Sequence, residues 1–169
     1  MSYGPGRSPL VTGVLVGVGV WLVGALVGIL VAVAFRVPEG FSTVGFGATI
    51  YVAGVALAFY AAAAQTFPLV WLVPTGVGFL AAIAGGAIVV AQTSRVDRGW
   101  PAVKAGASIV LGVFLCSMVV LAVYLVPSTP FSNVPVPARY VSLLFGSLLF
   151  PALFGALGGA IQHSLAGEQ

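Results

Sequence analysis

Residues 92–104, with the sequence QTSRVDRGWPAVK, form the most hydrophilic run in the chain and divide its apolar segments into two groups. This run holds three of the six Lys and Arg residues and one of the three acidic residues. Nearly everything on either side of it is apolar. We therefore predict that residues 92–104 are the main aqueous loop of a protein that crosses a membrane several times.

The composition of the chain points to the same environment. The 169 residues are 60% hydrophobic and only 5% charged, whereas a soluble domain carries about 25% charged residues. This small number of polar side chains cannot cover a folded surface in water. The chain therefore needs the lipid bilayer as its partner and solvent. Its length and the absence of a long hydrophilic segment predict one transmembrane domain over residues 1–169.

Five runs without Asp, Glu, Lys or Arg are each long enough to span a bilayer as a helix. They lack the alternation of apolar and polar residues that barrel strands show. We predict an all-α, polytopic integral membrane protein with five transmembrane helices in one bundle and the chain ends on opposite sides. The predicted helices cover residues 10–35, 44–64, 69–91, 105–126 and 140–162.

Two of these helices have an alternative reading. Residues 10–35 follow Arg7 and end in a small-x-small pattern that resembles a signal-peptide cleavage site, but the run is longer than a signal peptide's apolar region of roughly 7–15 residues. We favour a retained helix. The third run allows two helix starts. Either the helix begins near Leu69 and Pro74 kinks it, or the helix begins near Pro74, which then lies in its first turn.

The basic residues predict an orientation. If Met1 is outside, the cytoplasmic loops hold Arg36, Arg95, Arg98 and Lys104, while Arg7 and Arg139 lie outside. Cytoplasmic loops carry the excess of Lys and Arg. We therefore expect an integral protein of a prokaryotic cell membrane, with its N-terminus outside and its C-terminus in the cytoplasm.

Small residues recur on single faces of the predicted helices. Helices in lipid associate where small side chains let their backbones approach. In the first run four glycines at spacings of four, seven and four fall within about 60° of arc, and the fifth run has a pair at spacing four. Glycine is frequent, with 23 in the chain, so some such pairs arise by chance. The predicted helix-packing residues are Gly13, Gly17, Gly24, Gly28, Gly155 and Gly159.

The sequence lacks the groups that most membrane chemistry requires. No Asp, Glu, Lys, Arg or His lies inside the predicted helices, which weighs against an ion-coupled pump. His163 stands alone near a helix end, and Cys116 is the single cysteine. No side chain is placed to activate a serine. We expect no enzyme activity, no cofactor, no metal site and no nucleic-acid partner.

Weakly polar residues within the predicted helices leave two function classes open. Trp21, Ser117, Ser147 and Pro151 are the candidates for lining a pathway, although such weakly polar residues also hydrogen-bond across helices or to their own backbone. Pro151 cannot donate to the carbonyl of Ser147 and predicts a kink, which either frees that carbonyl for a substrate or is an ordinary kink filled by a neighbour. The first interpretation is a permease or channel-like protein for a small neutral or weakly polar solute. The alternative is a non-catalytic membrane subunit or scaffold, a homo-oligomer or a partner of other membrane proteins.

Short matches at an offset of 89 or 90 residues raise an inverted-repeat hypothesis. Residues 41–44 resemble residues 131–134, and flanking Val-Pro and Tyr-Val pairs recur at the same offset. These matches relate the first and second runs to the fourth and fifth. An offset of three crossings would invert the second pair, an arrangement that is common in transporters.

Overall fold

The computed structural model describes residues 8–34, 68–93, 99–120 and 145–166. Within these ranges the chain is helical and contains no strand. We number the α-helices in chain order and name the π-helix separately. The elements are α1 Pro9–Ala34, α2 Pro68–Gln92, α3 Trp100–Ala107, α4 Ile109–Val120, a π-helix Phe145–Leu149 and α5 Phe150–Ala166.

Four helical segments of the described residues are long and apolar enough to cross a membrane. They correspond to the predicted first, third, fourth and fifth runs, which supports a membrane location. The second predicted helix, residues 44–64, lies outside the described residues, and the count of five is not confirmed. The four spans are Pro9–Ala34, Val73–Gln92, Trp100–Val119 and Ser147–Leu165.

The hydrophilic loop is shorter than predicted at its C-terminal side. Helix α3 begins at Trp100, so residues 100–104 are helical rather than part of the loop. Gly99 has a φ of 86°, which favours glycine, and turns the chain into the helix. Pro101 fits the first turn, where its missing N–H has no helical partner to lose. Local turn chemistry therefore outweighs the polarity on which the loop boundary was drawn.

Ser108 separates α3 from α4. Its hydroxyl donates to the carbonyl of Ala105 at 2.6 Å and lies 3.3 Å from the carbonyl of Pro9 on α1. A serine hydroxyl that bonds a carbonyl of the preceding turn competes with the helical pattern, which accounts for the turn at this position. The two helices still form one span, Trp100–Val119.

Contacts of glycines show that α1 and α4 run in the same direction. A Cβ placed on Gly13 would meet Ser108, and one on Gly17 would lie 3.0 Å from the Cα of Gly112. A Cβ on Gly112 would lie 2.6 Å from the backbone nitrogen of Val18. Residue numbers rise together on both sides of this contact, so the two helices are parallel.

The same reasoning gives the direction of the other pairs. Gly155 of α5 contacts Gly106 of α3, whereas Gly159 contacts Ala102, so these helices are antiparallel. Phe79 of α2 stacks on Phe154 of α5, and further along both helices Gly158 packs on Ile83 and Ala87. Helices α2 and α5 are therefore parallel, and α1 is antiparallel to α2.

This arrangement places the ends of the described helices at two ends of one bundle. We call the end with Ser8, Thr93, Gly99 and Ala166 the loop end, and the opposite one, where α1 and α4 end and α2 and the π-helix begin, the proline end. Five alternating crossings would make α1 and α2 parallel and separate the termini. The structure instead brings Ser8 and Ala166 to the same end, so the predicted placement of the termini on opposite sides is not supported.

The helix directions also bear on the inverted repeat. An inverted relation requires the first and fourth predicted helices to run in opposite directions, but α1 and α4 are parallel. The repeated sequence segments at residues 41–44 and 131–134 lie outside the described residues. The inversion therefore has no support from the described helices. Sequence similarity could not distinguish a direct repeat from an inverted one, because the direction depends on how many crossings lie between.

Large apolar side chains lie outside the bundle and small ones lie inside. The exposed fraction is 58% for Leu26 and 1% for Ala32, although both belong to α1. Leucine gains little from burial against another helix when lipid is the alternative, whereas small residues allow close backbone packing. The buried core consists of Val20, Ala82, Val89, Ala105, Ile109 and Val113.

The predicted glycine stripe of α1 lies on the buried side of the helix. Gly13, Gly17, Gly24 and Gly28 are all buried. Gly19, on the other side, is exposed, and a Cβ placed there would meet nothing within 4 Å. These positions give a direct test of the packing role proposed for the stripe.

We expect Gly17→Leu to lower the midpoint of thermal unfolding in detergent by about 4–10 °C. A Cβ at Gly17 would lie 3.0 Å from the carbonyl carbon of Ile109, so the backbones of α1 and α4 must separate at a cost of about 2–3 kcal/mol. Gly19→Leu is the matched control and should change the midpoint by less than about 2 °C. Equal losses at both positions would remove the packing role of the stripe.

Candidate functional site

Buried hydroxyl groups within an apolar bundle are the main candidates for function. Five hydroxyl side chains among the described residues are buried, and they fall into two sets. Thr12 and Thr93 lie near the loop end. The other three lie toward the proline end, and we call them the hydroxyl layer. The hydroxyl layer consists of Thr75, Ser117 and Ser147.

An aromatic stack aligns α2 with α5 beside the hydroxyl layer. The ring centroid of Phe79 is 5.4 Å from that of Phe150 and 4.3 Å from that of Phe154. Thr75 precedes Phe79 by four residues of α2, so these two residues share a helix face, and Ser147 lies in the π-helix that ends directly before Phe150. Because α2 and α5 are parallel, both hydroxyl residues lie one turn from the stack toward the proline end.

Ser117 reaches the same region from α4. It continues the buried face formed by Ile109 and Val113, at successive spacings of four. Helix α4 also packs against the π-helix that contains Ser147. Ser117 and Ser147, two of the predicted pathway residues, are therefore both buried on elements that pack against each other.

Trp21 and Pro151, the other two predicted pathway residues, also lie inside the bundle. Trp21 is half-buried and packs against the core that contains Val20 and Val113. It lies one turn beyond Gly17, on the proline-end side of the contact between α1 and α4. Pro151 is buried one turn after Ser147.

The π-helix gives Pro151 a structural explanation. Proline cannot donate to the carbonyl four residues earlier, and its ring crowds that carbonyl, which here belongs to Ser147. The wider π turn over Phe145–Leu149 ends directly before Phe150 and Pro151. Single π turns relieve such local conflicts and occur often at functional sites. The kink predicted at Pro151 is thus accompanied by a change of helix type.

Pro74 interrupts the bonding pattern of α2 at the same level. The helix begins at Pro68 and contains Pro74, which resolves the two alternatives for the third run in favour of an internal proline. Pro74 is almost completely buried. It cannot donate to the carbonyl of Val70, so α2 also carries an altered turn beside the hydroxyl layer.

Thr75 differs from Thr93 and Ser164 in its hydrogen bonding. Serine and threonine in helices often donate to a carbonyl one turn earlier. Thr93, directly after α2, donates in this way to Val89 at 2.6 Å, and Ser164 donates to Ile161 at 2.8 Å. Thr75 is 7% exposed, and its hydroxyl has no hydrogen-bond partner within the described part of the chain. Leaving a buried hydroxyl unsatisfied costs about 1–3 kcal/mol.

Two basic side chains of the described spans, Lys104 and His163, lie at the loop end and not in the hydroxyl layer. Lys104 lies in the last turn of α3 and His163 in the last turn of α5. Lys104 is exposed, with its Nζ 5.7 Å from the ring centroid of Trp100. Both residues are close enough to a helix end for their polar groups to reach the headgroup region.

The described residues include no group of three His, Cys, Asp or Glu side chains that could hold a metal ion. The side chains of the hydroxyl layer are neutral donors and acceptors of hydrogen bonds. Sequence reasoning missed Thr75, which it treated only as part of the interruption at Pro74. A hydroxyl residue directly after a proline in an apolar run is the signal that could have identified it.

Comparison of the chain with protein-family models, with curated proteins and with solved structures found no match in any of the three.

Proposed function

We propose that this chain is a small permease for an uncharged, weakly polar solute. The observation that carries the proposal is the hydroxyl layer at two buried prolines inside an otherwise apolar bundle. Transporter sites commonly lie where helices depart from regular bonding within the membrane. The neutral side chains of the layer favour a solute without charge, because an ion would require compensating groups that this layer lacks.

The region between the hydroxyl layer and the loop end is tightly packed. A Cβ placed on Gly86 would lie 2.8 Å from the Cα of Gly155, and one on Gly106 would lie 3.0 Å from the Cα of Gly159. Three helix backbones therefore approach one another below the aromatic stack. We interpret this contact, which we call the glycine seal, as the closed side of the permease. Transport would require α5 to move relative to α2 and α3 at these glycines.

The proposal is tested by reconstituting the purified protein into liposomes and measuring uptake of a panel of neutral solutes. We expect faster uptake of at least one solute than in empty liposomes. Ser117→Ala should reduce that rate by about two- to tenfold, the effect of losing one hydrogen bond. Ser164→Ala is the matched control, because Ser164 is exposed near the end of α5.

The alternative function is a non-catalytic membrane subunit or scaffold. The glycine seal favours it, since close backbone contacts among α2, α3 and α5 also suit a rigid packing module. In that case wild-type liposomes would take up no neutral solute faster than empty ones, and the protein would purify with a partner or as a homo-oligomer. Those two results together would replace the permease proposal.

A further inference from the structure

Building on the proposed permease, we propose that Thr75 is the residue that binds the solute, and that the solute is an uncharged molecule whose polar group both donates and accepts hydrogen bonds, such as a primary amide or an alcohol. No sequence pattern assigned Thr75 a role. Its assignment rests on burial, on hydrogen bonding and on its position among the helices.

The first step is that the Thr75 hydroxyl is held away from the local partner that other hydroxyls use. Thr93, directly after α2, and Ser108, between α3 and α4, donate to carbonyls of the preceding helix at 2.6 Å each. Thr75 is as buried as Thr93, yet its Oγ1 has no hydrogen-bond partner in the described ranges. A helix threonine normally satisfies itself in this way, so its failure to do so leaves a donor and an acceptor for another molecule.

The second step is the direction in which Thr75 lies. It shares a helix face with Phe79, whose ring stacks on Phe150 and Phe154 of α5. This face of α2 is therefore the one that packs on α5, in the interior of the bundle and not toward lipid. Ser147 lies in the π-helix that leads into α5. A solute bound at Thr75 would lie between α2 and α5, above the aromatic stack.

The third step concerns the class of solute. A hydroxyl donates one hydrogen bond and accepts others, so it complements a group that does both. Amides and alcohols meet this requirement, and their transfer into an apolar site is tolerable when the hydrogen bonds are made. A carboxylate of the same shape accepts only, and it brings a charge that no residue of the hydroxyl layer compensates. Acetamide and acetate are therefore a matched pair of probes that differ in charge.

The test uses the full chain purified in detergent, with thermal unfolding as the readout. Saturating acetamide is expected to raise the midpoint of the wild-type protein by about 3–5 °C, and acetate should not. Thr75→Val replaces the hydroxyl by a methyl group of similar size. It should raise the midpoint without solute by about 2–6 °C, because an unsatisfied buried group is removed, and it should abolish the response to acetamide. Thr75→Ser should retain that response.

Each contrary result has a defined meaning. A lower midpoint for Thr75→Val without solute would show that the hydroxyl has a structural partner and would overturn the assignment. The same conclusion follows if Thr75→Val responds to acetamide as the wild type does. It also follows if the wild type responds neither to acetamide nor to ethylene glycol, which serves as the alcohol probe. A third outcome is that the wild type binds acetamide and Thr75→Val does not, but the protein takes up no solute into liposomes. That outcome would refute the permease proposal and still support the binding site.

Discussion

Replacing Gly155 with leucine is expected to abolish the folded bundle or to lower its midpoint of thermal unfolding in detergent by about 10 °C or more. A Cβ at Gly155 would lie 2.5 Å from the carbonyl oxygen of Gly106 and 2.7 Å from Cδ1 of Ile109, while Gly86 approaches Gly155 from α2. Overpacking a flexible core costs about 1–3 kcal/mol. Here two backbones would have to move, so we expect a cost at or above the upper limit of that range. Each kcal/mol lowers the midpoint by about 2–4 °C.

Gly76→Leu is the control for this substitution. Gly76 is an exposed helical glycine of α2, and a Cβ placed there would meet nothing within 4 Å. Leucine has the better helix propensity, so this variant should be as stable as the wild type or slightly more stable. Melting followed by circular dichroism or by fluorescence would measure both variants. A midpoint for Gly155→Leu within 2–3 °C of the control, on this scale, would mean that the glycine seal does not hold the helices together.

Labelling of single cysteines is expected to give an all-or-none result for the helix directions. In a Cys116→Ala background, Ser8→Cys, Ser94→Cys and Ser164→Cys should all react from one side of the membrane, and Ala34→Cys from the other. The reason is that α1 begins, α2 ends and α5 ends at the loop end. An impermeant maleimide applied to sealed cells and to inverted vesicles would measure the accessible side of each position.

The positions of the basic residues predict on which side of the membrane the loop end lies. Arg7 directly precedes Ser8, Arg95 and Arg98 lie in the link between α2 and α3, and Lys104 lies in α3, so four of the six basic residues accompany the loop end. Arg36 follows the end of α1 at the proline end. We propose that the loop end, which includes Ser8, is cytoplasmic, in place of the outside N-terminus expected from five crossings, and that intact cells label only Ala34→Cys. Reaction of Ser8→Cys and Ser94→Cys from opposite sides would restore the five-crossing order.

The candidate site was partly foreseeable from residue types. Ser117, Ser147 and Pro151 stand out in apolar runs because polar groups and helix breaks are costly in a membrane. Thr75 did not stand out, because its distinguishing property is a missing partner. Whether a threonine bonds to its own helix depends on the local backbone, which Pro74 alters. The missing partner itself is visible only in the structure, whereas the position of Thr75 directly after Pro74 in an apolar run indicates an altered backbone there.

Composition and run length were sufficient to predict an all-helical chain, to locate four helices apolar enough to span a membrane and to identify the buried side of α1. These features follow from local costs: an apolar run of spanning length must leave water, and glycine spacing defines a helix face. Only the packed bundle showed the helix directions and the glycine seal. It also showed that Thr75, Ser117 and Ser147 are all buried toward the proline end. These features depend on which helices are neighbours and on the end of the bundle at which each helix begins. The sequence does not reveal them, because the hydropathy of a helix is the same in either direction.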